Sequence, residues 1–203
     1  IDSVIAYSVK ANSNLSILKV LAESGAGADI VSIGELKKAK KAGIPSDKIV
    51  YSGVGKRKLE ISAALDANIQ QFNVESLNEL YTIANIASQK NISANIALRV
   101  NPDITAGGHP KISTGKKTDK FGIPIEEAKK IYDIARDLKS LNVVGVDIHI
   151  GSQILNIKPF KKAFSKIIKF TQDLEKEGHN IRNIDLGGGI GINYLNEEDN
   201  QFL

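Results

Sequence analysis

The chain predicts an α/β fold of the (β/α) barrel class, and three observations point there. Strand-like apolar runs alternate with helical stretches seven times along 203 residues, the pattern of a parallel sheet with helical crossovers. The helices recur at nearly even spacing through the first half. Polar residues gather at the carboxyl end of each strand-like run, where such barrels carry their chemistry. A doubly wound open sheet is the alternative architecture. Eight strands close a barrel over typically about 250 residues, and seven are legible here. The expectation is an incomplete TIM-type barrel, one partial domain over residues 1–203, with its eighth strand outside them.

The elements follow in order. Residues 4–10 read as a strand, and Leu15 to Ser24 as an amphipathic helix stopped by Gly25. Asp29-Ile30-Val31 is a short strand. Ile33 to Ala42 is a helix with Gly43 as its stop and Pro45 beyond. Ile49-Val50-Tyr51 is the third strand, then a helix from Lys58 to Asp66, then a strand Gln71-Phe72-Asn73-Val74. A helix runs from Ser76 to Gln89, with Ser76 as N-cap and Glu79 at capping-box spacing. The fifth strand, Asn95 to Val100, is followed by a polar, glycine-rich loop through Gly122. Ile125 to Leu141 is a helix with apolar residues at 128, 131, 134, 135 and 138. Val143 to Ile150 is the sixth strand, Phe160 to Gly178 a long helix, and Ile184-Asp185-Leu186 the seventh strand. No internal repeat beyond this alternation is expected.

Composition narrows the function classes. The residues are 42% hydrophobic and 25% charged, with a net charge of +4 and dispersed lysines; no basic block with interleaved aromatics suggests nucleic acid. No apolar stretch approaches the roughly 18 residues of a membrane span, and no secretory signal pattern is visible. Cysteine is absent, which removes disulfides and thiolates from these residues and fits the cytoplasm. Methionine is absent too, and the sequence starts inside an apolar run and stops at Phe202-Leu203, so an internal segment of a longer protein is expected.

The strand ends supply the candidate site: Lys10, Asp29 with Ser32, Ser52, Asn73 with Glu75, Arg99 with Asn101, His149 with Ser152, and Gly187 to Gly189. Lys10, at the end of an expected buried strand, is either a solvated strand-end lysine or an amine whose neutral form can join a carbonyl as a Schiff base. Gly187-Gly188-Gly189-Ile190-Gly191 fits neither a dinucleotide fingerprint, which needs glycine at 192, nor a Walker loop. It is either a tight turn or a phosphate cradle built from backbone N–H groups. His149 is either a satisfied core residue or a ring that stacks on an aromatic ligand or relays a proton. His109 and His179 are far off in sequence and no metal site is expected. No G-x-S-x-G elbow occurs.

Taken together, Tyr7-Ser8-Val9-Lys10-Ala11-Asn12, Gly27-Ala28-Asp29-Ile30-Val31-Ser32-Ile33-Gly34-Glu35-Leu36, Phe72-Asn73-Val74-Glu75-Ser76, Leu98-Arg99-Val100-Asn101-Pro102, His149-Ile150-Gly151-Ser152-Gln153 and Asp185-Leu186-Gly187-Gly188-Gly189 resemble the barrel domain of the fold-type III pyridoxal-phosphate decarboxylases. The resemblance covers nearly the whole chain. The loop Gly108-His109-Pro110-Lys111-Ile112-Ser113-Thr114-Gly115 with Lys120-Phe121-Gly122 looks like the branch acting on diaminopimelate in lysine biosynthesis.

The resemblance implies pyridoxal 5'-phosphate as cofactor, held covalently by Lys10. His149 would stack on its ring, with Ser152 near the phosphate and Gly187, Gly188 and Gly189 donating N–H groups to it. Asp29 and the acid Glu35 would belong to the network around Lys10, with Arg99 nearby. Catalytic roles would fall to Lys10, His149 and Glu35, on an amino-acid substrate, in a cytoplasmic homodimer. The family also uses an eighth-strand glutamate in an E-P-G-R motif and a C-terminal β-domain, neither of which occurs here. The segment alone is therefore expected to be inactive. A related decarboxylase, a racemase, a non-catalytic cofactor-binding barrel and a gene remnant are the alternatives.

Overall fold

Strand β1 (Ala6–Ser8) is shorter than its sequence suggests. Asn12 Oδ1 accepts the Asn14 N–H at 3.0 Å and Asn14 Oδ1 accepts that of Ser16 at 2.9 Å. These local side-chain bonds compete with a sheet ladder. The chain accordingly turns through a short 3-10 segment, Val9–Ala11, into helix α1 (Leu15–Glu23). This computed structural model describes residues 3–104 and 121–192.

The order continues with β2 (Gly27–Ile30), α2 (Ile33–Lys41), β3 (Ile49–Tyr51), α3 (Lys58–Asp66), β4 (Gln71–Val74), α4 (Leu77–Gln89) and β5 (Ala94–Asn101). After the loop come β6 (Ile123–Pro124), α5 (Ile125–Asp137), β7 (Leu141–Asp147), α6 (Ile157–Lys176) and β8 (Asn183–Asp185). Sheet order follows chain order, with β6 alone branching off beside β5. Strands β3 and β4 and helix α3 have the bounds their sequence predicts. The two-residue β6 has too little pattern to be read. Strand β7 stops at Asp147, before His149, because the next residues turn: Gly151 has φ 141° and Gln153 φ 58°. Helix α6 starts at Ile157, three residues before its expected start, behind the N-cap Asn156, whose side chain accepts the Lys158 N–H.

The chain forms two units, Ile1–Ala97 with Ala135–Asn142, and Leu98–Ile134 with Val143–Leu203. In the first, β1 to β4 are parallel neighbours with registers Ser8↔Asp29, Asp29↔Val50 and Val50↔Gln71. Helix α1 packs on α2, α2 on α3 and α3 on α4. The buried core includes Leu18, Ile30, Leu36, Ile61, Leu80 and Ile83. Ser140 belongs here because its Oγ donates to Ala84 O at 2.8 Å and its carbonyl accepts from Ala94 N. In the second unit, β7 pairs with β8 in parallel, Val146 opposite Ile184, and β5 with β6. Its core is built on Tyr132, Ile148, Phe160, Ala163, Ile167 and Leu174.

Candidate active site

In the first unit, β1 delivers Ser8 and the following turn delivers Lys10. Val9 is buried and anchors that turn, while Lys10 is exposed. The expectation of a lysine ending a buried strand therefore needs correcting: Lys10 sits one turn beyond the strand, on the surface. Register places Ser8 beside Asp29, and Ser8 Oγ donates to Asp29 Oδ2 at 3.0 Å. The pleat puts Asp29 and Gln71 on one face of the sheet, with Asn73 two residues further. Gln71 Nε2 donates to Asn73 Oδ1 at 2.9 Å, and Asn73 Nδ2 to Ser52 Oγ at 3.2 Å. Three of the expected residues, Asp29, Ser52 and Asn73, thus line one polar sheet face or its rim, together with Ser8.

The opposite face holds a group that no sequence signal marked. Tyr51 and Phe72 stack with centroids 6.0 Å apart, and Lys56 Nζ lies 5.7 Å from the Tyr51 ring. Lys56 Nζ donates to Gly53 O, Asn73 O and Glu79 Oε1, each at 2.7 Å. The side chains of Lys56 and Glu79 are only 1% and 10% exposed. Burial raises the Glu79 carboxyl above the usual range, and Lys56 opposes that rise. Burial likewise raises the Tyr51 phenol, with Glu60 adding to it. Lys56 stands in a Gly-Lys-Arg loop, and its partner is 23 residues away.

Helices α2 and α4 of this unit begin alike, and α3 too has a glutamate in its first turn. Ser32 Oγ accepts the Glu35 N–H and Ser76 Oγ that of Glu79, both at 3.2 Å. Each glutamate reaches back one residue further than a capping box would: Glu35 Oε2 accepts from Val31 N at 2.7 Å and Glu79 Oε2 from Glu75 N at 3.1 Å. Glu60 accepts from Arg57 N and, with its other oxygen, from Ile33 N, both at 3.1 Å. The Arg57 guanidinium holds the Glu60 carboxyl below the usual range. Val31-Ser32-Ile33-Gly34-Glu35-Leu36 and Glu75-Ser76-Leu77-Asn78-Glu79-Leu80 use one capping device twice.

In the second unit, β7 and β8 bring His149 beside the glycine turn. The Ile148 N–H donates to Asp185 O at 3.0 Å. Gly188 N donates to His149 Nδ1 at 3.4 Å, and Gly187 N to Asp185 Oδ1 at 2.9 Å. Two of the three N–H groups expected to face a phosphate are therefore turned to protein acceptors. The three glycines differ. A Cβ on Gly187 would lie 2.2 Å from Ile148 O, and one on Gly189 1.8 Å from Gly151 O; their φ values are +67° and +94°. A Cβ on Gly188 would meet nothing within 4 Å. Backbone packing thus explains Gly187 and Gly189. Gly188 opens onto space that a ligand could fill, so the turn fits a phosphate group. Ser152 is exposed beside Gly151.

The remaining expectations scatter. Arg99 lies 5.4 Å over the Phe121 ring, and Asn101 Oδ1 accepts the Asp103 N–H at 2.9 Å. His179 is buried, 3.3 Å from Asp133 and edge-on to Tyr132, which is a packing role. Among the described residues no group of three His, Cys, Asp or Glu side chains could hold a metal, and no helix is long and apolar enough to cross a membrane. His109 and the Gly108–Gly115 loop with Lys120 lie outside the described residues.

Parallel strands with helical crossovers, an exposed lysine in the turn after β1 in one unit and a glycine turn after β8 in the other are features of the α/β barrel class. The family model of the pyridoxal-dependent decarboxylases, for their pyridoxal binding domain, matches residues 1–202, and the chain belongs to this family. Its relatives include the diaminopimelate decarboxylase of Aquifex aeolicus, 49% identical over 197 residues, covering 97% of this chain and 47% of that protein. That of Helicobacter pylori strain J99 is 50% identical over 196 residues, covering 97% of this chain and 48% of that protein. The solved Helicobacter pylori diaminopimelate decarboxylase complexed with L-lysine aligns with a TM-score of 0.95 at 49% identity, over 97% of this chain and 50% of that one. Lysine decarboxylase from Selenomonas ruminantium aligns at 0.82 and 25% identity, over 94% of this chain and 47% of that one. The chain spans about half the length of these relatives, and the alignments bear out the incomplete (β/α) barrel class.

Proposed function

We propose that the protein carrying this chain decarboxylates meso-2,6-diaminopimelate to L-lysine and CO2. The observation that carries the reading is that one matched domain contains both the Lys10 motif and the open turn at Gly188. The names borne by relatives at 49 and 50% identity support the substrate. When bound, pyridoxal phosphate supplies the electron sink for the pair released as the carboxylate leaves.

The chain's own residues do the rest. Lys10 Nζ would be the primary amine that holds the cofactor, and its exposed position leaves that amine open to a carbonyl ligand. The Ser8 hydroxyl orients the Asp29 carboxylate, which would favour positive charge on a group held nearby. The glycine turn Gly187 to Gly189 with Ser152 would hold the phosphate, on the side where Gly188 leaves open space. His149 supports the ring. With Nδ1 facing the Gly188 N–H, its neutral form carries the proton at Nε2. Glu35 acts as a positioning residue, its carboxylate fixing the Val31 N–H behind Asp29. The absence of cysteine supports a cytoplasmic site, and family membership supports a homodimer.

The test is spectroscopic and catalytic. The full-length protein, saturated with pyridoxal phosphate, should absorb visibly and release CO2 from meso-diaminopimelate in preference to lysine, ornithine or arginine. Lys10→Ala should lose both properties. A colourless saturated wild type would sink the reading.

A further inference from the structure

Gln153 is a non-glycine residue in the left-handed region, with φ 58°, which is strained for a residue of this type and persists only where the surroundings demand it. Those surroundings lie around the glycine turn. The segment after Gly151 runs alongside the segment after Gly188. Ile154 N donates to Gly189 O at 2.9 Å, and Gly191 N returns to Ile154 O at 3.0 Å, forming a parallel bridge between Ile154 and Ile190. The Gln153 side chain adds to this ladder. Its Nε2 donates to Ile192 O at 2.7 Å, and its Oε1 accepts from Ile192 N at 3.2 Å.

A carboxamide carries the same donor and acceptor as a peptide group, so Gln153 pairs with Ile192 as a further strand residue would. Close approach is built in: a Cβ on Gly191 would sit 2.9 Å from the Gln153 carbonyl carbon. We infer that Gln153 is a positioning residue for phosphate binding. Its amide fastens the far end of the Gly187–Gly191 turn to the His149–Ser152 segment and so fixes the Gly188 backbone against a phosphate monoester. The left-handed backbone aims the amide; the two bonds to Ile192 hold it.

This rests on the reading proposed above, and the test separates the two. Binding of pyridoxal phosphate and of pyridoxal, which lacks the phosphate, is titrated by absorbance in the full-length protein and in Gln153→Ala and Gln153→Glu. The expected result is an affinity for pyridoxal phosphate about tenfold weaker in both variants, the scale of one or two lost hydrogen bonds. Affinity for pyridoxal should change less than about twofold. Equal losses for both ligands, or no loss, would overturn the role of Gln153. A wild type that binds the two ligands equally, or neither, would instead overturn the phosphate site itself. Should Gln153→Ala fail to fold, Gln153→Gly removes the strain together with the amide and carries the same comparison.

Discussion

A Cβ on Gly189 would lie 1.8 Å from Gly151 O, whereas one on Gly188 would meet nothing, so the two positions should respond oppositely to alanine. Gly189→Ala combines a backbone collision with φ +94° and should cost at least about 3 kcal/mol of stability, read from the urea midpoint. Gly188→Ala should stay within about 1 kcal/mol of wild type. It should nevertheless weaken pyridoxal phosphate binding about tenfold, because the added methyl occupies the ligand's side of the turn. Sequence alone could not divide the three glycines, because the Gly151 carbonyl that excludes a side chain at 189 comes from a distant segment. Lys56 shows the same limit in reverse. Nothing in the sequence around it marks it, yet its ammonium is buried on three oxygens. Lys56→Met should leave the Glu79 charge unpaired and cost about 3–5 kcal/mol in chemical denaturation. Lys56→Met with Glu79→Leu should recover much of that loss.

At the scale of elements, strand and helix existence was legible because burial imposes periods of 2 and 3.6 on the residues. Ends were less so where side chains compete with the backbone, as Asn12 and Asn14 do after β1. The Ser76 cap was legible at its serine, but the Glu79 carboxylate divides between Glu75 N and Lys56, which needs the neighbouring loop in place. The Glu60 cap, seated behind Arg57, had no serine to announce it. It makes a pH prediction. Glu60 is held low by Arg57, so the folded state binds its proton less readily than the unfolded state. The stability gained is full above the unfolded value, about 4.3, and is lost as pH falls through the lower folded value. Urea midpoints between pH 6 and 3 should therefore fall less steeply for Glu60→Gln than for wild type.

For the molecule as a whole, the sequence disclosed the barrel class through alternation and strand-end polarity, while a strand as short as β6 left no trace in composition. The relatives are about twice as long as this chain. Expressed alone, the 203 residues are expected to release no CO2 from meso-diaminopimelate above background, a point that trapping of labelled CO2 would decide. The glutamates at the starts of α2, α3 and α4 carry a wider consequence. The amino end of a helix ordinarily invites an anion, but here Glu35, Glu60 and Glu79 already sit on backbone N–H groups at those three starts. A carboxylate resident at each of these berths makes it a poor host for a phosphate. On the function proposed above, filling the competing berths beforehand would favour the one anchorage at the glycine turn.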